Sequence, residues 1–315
     1  MKRINILAAV LAAAMLASCG GSDSKADSSA ASKAETVSSA AAAESTAEST
    51  AESVAESTAE STAESVAEST AESVAESTAE STPEAPQYRN IKVMTLGDSI
   101  TDGFWLEGGY RVFLCNKLEE NGLSQYVDFV GSNHSGQCYD NDHEGYTAFA
   151  IEGFTRVKGV GSRSGIAKFA PDHIEQHKPD VLTLMIGTND ILSQYDLDNA
   201  GNRLESLVDN CLEALPEGGR LYLASLPDMD ANDNTYIDKK KFTPETMDEM
   251  VAAFNGKVKA LAEKKQGEGK NVEFCDVHSV LTKADLYDGV HPNEEGYKKL
   301  ADYWYDIIVK EITAK

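Results

Sequence analysis

Ile91-Lys92-Val93-Met94-Thr95-Leu96-Gly97-Asp98-Ser99-Ile100 is the stretch on which the fold turns. Apolar side chains at 91, 93, 94 and 96 predict a strand over Ile91–Leu96 with both faces covered. Gly97-Asp98 then breaks the run and places Ser99 just past the strand end. A serine on such a turn is a candidate nucleophile.

Four more apolar runs follow: Val127–Gly131, Val181–Ile186, Arg220–Ser225 and Val272–Asp276. Between them lie helical patterns at Tyr110–Glu120, Asp172–His177, Asn202–Ala214 and Pro244–Lys265, and a last helix from Asn293 to about Ile312. Five apolar strands separated by amphipathic helices predict an α/β fold, with a parallel sheet covered on both faces. Ligands of such sheets bind at the carboxyl ends of the strands. Ser99 follows the first strand and Asn189, in Gly187-Thr188-Asn189-Asp190, follows the third, so both belong to one rim.

The other parts of an acyl-transfer site are also present. His291, in Asp288-Gly289-Val290-His291-Pro292, is a candidate base, and Asp288 can orient its ring and fix its tautomer. Pro292 biases His291 away from helical geometry, which places it on a loop before the last helix. Candidate oxyanion donors are the Ser99 N–H, the Asn189 amide, and the N–H of Gly145 in His143-Glu144-Gly145-Tyr146. Asp98 and Asp190 read as structural acids that bond loop backbone. The other histidines, His134, His143, His173, His177 and His278, lack metal-ligand spacing and read as surface or local hydrogen-bonding residues. Trp105, Tyr110, Tyr146 and Phe149 stand either as a sugar-stacking wall or as core.

These blocks resemble the SGNH (GDSL-type) hydrolases, in order and spacing, over Ile91 to Ile312. Within that family, Gly97-Asp98-Ser99-Ile100-Thr101-Asp102-Gly103, Gly108-Gly109-Tyr110-Arg111, Asp128-Phe129-Val130-Gly131-Ser132 and His143-Glu144-Gly145-Tyr146 are similar to carbohydrate esterase family 3, which removes acetyl groups from xylan. The resemblance implies a flavodoxin-like three-layer α/β/α sandwich, a Ser-His-Asp mechanism without metal or cofactor, and an acetylated polysaccharide or oligosaccharide as substrate. One block departs: where the carbohydrate esterase pattern continues with Ser-Gly-Trp, this chain has Thr147-Ala148-Phe149. A lipid-directed GDSL esterase, such as a lysophospholipase, is the enzymatic alternative. A non-catalytic carbohydrate-binding protein on the same scaffold is the alternative from another class.

The amino-terminal part of the 315-residue chain has a different composition. Lys2 and Arg3 precede an apolar run, Ile4–Ala17, that is too short to span a bilayer but suits a signal peptide over residues 1–18. Leu16-Ala17-Ser18-Cys19 resembles the lipobox of bacterial lipoproteins. That implies lipidation of Cys19, contact with the membrane through this anchor alone, and an extracytoplasmic position at the bacterial cell surface. Residues 19–87 repeat Ala-Glu-Ser-Thr and Ala-Glu-Ser-Val without an apolar face, which reads as a disordered tether.

Residues 88–315 suit one catalytic domain. They carry 38 acids against 24 Lys plus Arg, within a whole-chain charge of −24, which argues against nucleic acid as a partner. Cys115, Cys211 and Cys275 sit in apolar periodic stretches and read as buried, Cys138 lies in a polar loop, and no spacing demands a disulfide.

Overall fold

Strand β1, Ile91–Gly97, forms the middle of the sheet in the computed structural model, which describes residues 87–155, 161–237, 239 and 242–314. The expectations for a signal peptide, for Cys19 and for a tether lie outside the described residues, apart from Gln87. Met94 and Leu96 on one face and Val93 and Thr95 on the other are all buried. Each apolar side chain of this kind contributes about 1.5–3 kcal/mol relative to exposure. The two-sided burial read from the apolar run is therefore real.

The chain continues through α1 (Ser99–Asp102), α2 (Tyr110–Glu120), β2 (Val127–Val130), β3 (Asn133–His134) and β4 (Asp142–Gly145). Then come α3 (Ala170–His177), β5 (Val181–Met185), α4 (Thr188–Ser193), α5 (Ala200–Ala214) and β6 (Arg220–Ala224). Helix α6 (Pro244–Gly267), β7 (Val272–Cys275) and α7 (Glu294–Thr313) complete it. The five predicted strands pair in parallel in the spatial order β2-β1-β5-β6-β7. Helix α2 packs on α7, while α3 and α6 both pack on α5, and the sheet has helices on both sides. This is the expected three-layer α/β/α arrangement.

Two short strands enlarge the sheet beyond five. Strand β4 pairs with the carboxyl end of β1 through Leu96↔Glu144 and Gly97↔Gly145, on the edge that β2 occupies lower down, and β3 pairs antiparallel with β4. The handover occurs at Gly131, where a Cβ would lie 2.1 Å from the His143 carbonyl oxygen. Only a glycine permits that approach. Strand β4 reads Asp-His-Glu-Gly, without an apolar pattern, so periodicity cannot reveal it. Helix α3 begins two residues earlier than expected because Pro171 suits a helical first turn.

Every strand that matters to the site ends at the same rim. Helix α1 follows β1, α4 follows β5, and the segments after β6 and β7 carry Tyr236 and the Asp288–His291 loop.

Candidate active site

Ser99 opens α1, a single turn held at both ends. The Asp98 side chain accepts from Ile100 N–H at 3.1 Å, and Gly103, at φ 85°, ends the turn with its N–H on the Ser99 carbonyl. Arg111 is buried and clamps the far end: Nε donates to Thr101 O at 3.0 Å and Nη2 to Asp102 O at 3.2 Å. A cation on the last carbonyls of a helix satisfies orphan acceptors and suits the dipole. Burial raises Asp98 to about 6, against the pull of the Ile100 N–H.

The loop before α7 brings the other two residues. Asp288 Oδ1 accepts from the Val290 and His291 N–H groups at 3.1 and 2.8 Å, closing a local turn. Gly289, at φ 78°, lies so close to the 230–234 segment that a Cβ would meet Asn234 N and Asp230 O at 2.6 Å. Asp230 N–H donates to Gly289 O at 2.8 Å, Tyr287 N–H to His291 O at 2.7 Å, and Trp105 Nε1–H to Pro292 O at 2.7 Å. Asn293 then caps α7 through Gly296 N–H at 2.9 Å, so His291 stands on a loop as its neighbouring proline requires.

Across this rim His291 Nε2 lies 2.9 Å from Ser99 Oγ, and its Nδ1 lies 2.8 Å from Asp288 Oδ2. Ser99 and His291 are each 5% exposed although 192 positions separate them. The order hydroxyl, imidazole, carboxylate is one in which the ring can take a proton from the serine while the acid holds its tautomer. Burial alone would raise Asp288; the hydrogen bonds from the His291 ring and backbone, the His291 charge and the Tyr236 hydroxyl outweigh it and hold the carboxyl at about 2. Asp288 is thus a carboxylate throughout the working range of such chemistry.

Asn189, at the start of α4, lines the same cavity of about 170 Å³ as Ser99 and His291. Its Nδ2 donates to Phe149 O at 2.9 Å, which orients the amide and leaves its second N–H toward other acceptors. Asp190 is fully buried, accepts from Ile151 N–H at 3.0 Å and pairs with Arg203 at 3.0 Å. Burial raises its carboxyl despite these partners. Asp190 therefore bonds loop backbone as expected, at Ile151, whereas Asp98 caps the first turn of α1.

Gly145 takes a different part from the expected one. Its N–H donates to His143 Nδ1 at 3.1 Å, and it does not line the serine cavity. A Cβ there would sit 2.5 Å from Asp102 N and 2.7 Å from Asp102 Cα. The glycine is needed because α1 rests directly on β4. Thr147 and Ala148 reach the cavity wall instead. Phe149 N–H bonds Tyr146 O at 3.2 Å, and Ala148 has φ 67°, the left-handed third position of a turn where glycine is at home.

His143 is buried, and its neutral ring bonds Ser135 Oγ; burial, then Arg111, pulls its pKa down to about 3. Tyr110 is core, and Trp105 stacks on Tyr287 at 4.3 Å. Two aromatic residues beside His291 and Asp288 escaped the sequence reading. Phe104 (49% exposed) lies 4.9 Å from the His291 ring, and Tyr236 (47% exposed) donates to Asp288 Oδ2 at 2.9 Å. The carboxyl-end rule points to the segment after β6 that carries Tyr236. Cys115 and Cys138 are free thiols that both donate to Asp140 O, at 3.2 and 2.9 Å. Among the described residues no group of three or more His, Cys, Asp or Glu could hold a metal ion.

The sequence is 36% identical over 236 residues to a "Multidomain esterase" of Ruminococcus flavefaciens, covering 69% of this chain and 28% of that protein. A solved "Clostridium thermocellum family 3 carbohydrate esterase" superposes with a TM-score of 0.54 at 28% identity, over 72% of this chain and all of that one. A "carbohydrate esterase family 3 from Talaromyces cellulolyticus", at 22% identity and TM-score 0.54, shares the fold over 70% of this chain and 98% of its own. The family model "GDSL-like Lipase/Acylhydrolase" matches residues 93–304, from the third residue of β1 to the middle of α7. Its span takes in the serine turn, the Asn189 helix and the Asp288–His291 loop, and the chain belongs to the GDSL-like lipase/acylhydrolase family.

Proposed function

We propose that this protein is a serine esterase that removes acetyl groups from plant-cell-wall polysaccharide, as an acetyl xylan esterase does. The observation that carries the reading is the continuous bonding path Ser99 Oγ, His291 Nε2, His291 Nδ1, Asp288 Oδ2 at 2.9 and 2.8 Å. The cavity of about 170 Å³ above it suits a short acyl group, and relatives named as esterases and family 3 carbohydrate esterases support the class.

In this mechanism Ser99 Oγ attacks the acetyl carbonyl while His291 Nε2 takes its proton. Asp288 stabilises the imidazolium that forms. The oxyanion accepts from the Ser99 N–H, which has no intrahelical acceptor at the start of α1, and from the Asn189 amide. The Gly145 N–H, engaged by His143, is not in this donor set. Collapse breaks the ester C–O bond, and His291 returns the proton to the departing sugar oxygen. Water, deprotonated by His291, then attacks the acetyl-enzyme and releases acetate with Ser99 restored.

Acetate release from acetylated xylan, compared between the full chain and Ser99→Ala, tests the reading. The variant should lose essentially all turnover. Full activity in Ser99→Ala would remove the mechanism, and a strong preference for octanoyl over acetyl nitrophenyl esters would favour the lipid-directed alternative. The proposal includes export and a lipid anchor at Cys19. Incorporation of labelled fatty acid that persists in Cys19→Ala would overturn that part.

A further inference from the structure

Beside the serine cavity lies a larger one of about 650 Å³, and Arg163 lines both. Three aromatic rings, Phe149, Phe154 and Phe169, form walls of the larger cavity, with Lys168 as its second cation. Among the described residues no carboxylate lines it. Among the described residues neither Arg163 nor Lys168 forms an ion pair with an acid, and the buried Arg163 Nε has no hydrogen-bond partner. Two other arginines near the site are otherwise engaged: Arg111 on α1 carbonyls and Arg203 on Asp190.

The position of Arg163 is built. Its N–H and C=O exchange 3.0 Å bonds with Phe154, whose ring stacks on Tyr195 at 4.0 Å. Gly165 lets the two crossing backbones meet, since a Cβ there would lie 2.1 Å from the Glu152 carbonyl carbon and Gly153 N. The charge is also concentrated in the sequence. Residues 153–168 contain Arg156, Lys158, Arg163 and Lys168 and not one acid, within a chain of net charge −24. An uncompensated arginine in a partly apolar cleft is set to accept a planar carboxylate in a forked geometry.

We propose that this second cavity is a subsite for a uronic acid residue, so that the preferred substrate is an acetylated oligosaccharide carrying a sugar carboxylate next to the reacting ester. Arg163 receives the carboxylate, Lys168 adds positive field, and the aromatic walls cover the apolar face of the ring. The inference rests on the esterase reading above and narrows its substrate class.

The test compares three acetylated xylo-oligosaccharides of one length, each assayed for acetate release by the full chain. One carries a glucuronic acid branch, one the methyl ester of that branch, and one no branch. The wild type should show kcat/KM about tenfold higher for the free acid than for its methyl ester, the size of one charge-assisted contact. Arg163→Gln should bring that ratio close to one and Arg163→Lys should keep part of it; high salt should shrink it in the wild type. Should Arg163→Gln fail to fold, Lys168→Gln and the wild-type salt dependence carry the same test. Equal rates for acid and ester in the wild type, or an unchanged ratio in Arg163→Gln, overturn the subsite while leaving the esterase reading intact. Absence of acetate from all three overturns both.

Discussion

Replacing Asp288 by asparagine separates orientation from packing, because the two side chains are nearly the same size. The carboxylate accepts four bonds: His291 N–H and Val290 N–H on Oδ1, and His291 Nδ1–H and the Tyr236 hydroxyl on Oδ2. Asparagine has one oxygen. If it stays with the two backbone donors, its NH2 group faces Nδ1. Two donors then oppose each other unless the ring moves its proton to Nε2, and with Nε2 protonated it cannot accept from Ser99 Oγ. The expected loss is about 10⁴-fold in kcat for nitrophenyl acetate, equivalent to about 5 kcal/mol of barrier. Stability should respond differently. The Asp288 carboxyl lies at about 2, below its ordinary 3.8, so its stabilisation is present above pH 3.8 and is lost as pH falls toward 2. At 1.36 kcal/mol per unit this is about 2 kcal/mol, which the asparagine variant lacks at every pH. Melting curves at pH 7 and pH 3 alongside the kinetics separate the two effects. A folded Asp288→Asn enzyme that keeps more than a tenth of wild-type kcat would refute the assignment of the acid.

Three other substitutions probe the supports. Gly145→Ala forces a methyl group into the α1 backbone at Asp102, so kcat should fall by tenfold or more and stability by about 1–3 kcal/mol, read by kinetics and melting; unchanged kcat would show that α1 does not rest on this glycine. Ala148→Gly relieves a left-handed alanine that costs about 1–2 kcal/mol but adds glycine's unfolded-state entropy of about 0.5–1 kcal/mol, so Tm should rise by roughly 1–3 °C. A fall in Tm would mean the turn is not strained. Arg203→Met leaves the fully buried Asp190 carboxylate without its cation and should cost about 3–5 kcal/mol in denaturant unfolding, whereas Arg203→Met with Asp190→Leu should recover part of it.

The parts that could be read from the chain are those in which a period or a fixed spacing carries the information. Strand β1 announces itself by apolar residues covered on both faces, and α7 by Asn293 ahead of an amphipathic run. Ser99, Asn189, Asp288 and His291 are legible because strand ends in a parallel sheet share one rim. Strand β4 and the donor role of Gly145 are not legible for one and the same reason. A four-residue polar strand has no period, and the direction of a single N–H depends on which neighbour it meets, here His143. Arg111 is similar: nothing local tells that its guanidinium reaches back to Thr101 O and Asp102 O. Arg163 did leave a trace, a run of cations without acids in an acidic domain, but the trace becomes a site only when Phe149, Phe154 and Phe169 are seen around it.

The departure at Thr147-Ala148-Phe149 falls where the two cavities meet, and this bears on which properties of the enzyme it can alter. Thr147 and Ala148 line the serine cavity, while Phe149 lines the larger one and supplies the carbonyl that orients Asn189. That carbonyl belongs to the backbone, so the Asn189 contact survives any change of side chain at 149. A phenylalanine in place of the tryptophan usual in the related esterases removes one ring from the wall and leaves more room in the larger cavity. The alanine in place of glycine keeps the turn at a positive φ and adds a methyl group to the cavity beside Ser99. None of the three substitutions touches the path from Asp288 to Ser99. Variation in this turn therefore acts on what is held next to the ester rather than on how the ester is cleaved, and exchanging the three residues for Ser-Gly-Trp should change the ranking of acetylated oligosaccharides far more than kcat for nitrophenyl acetate.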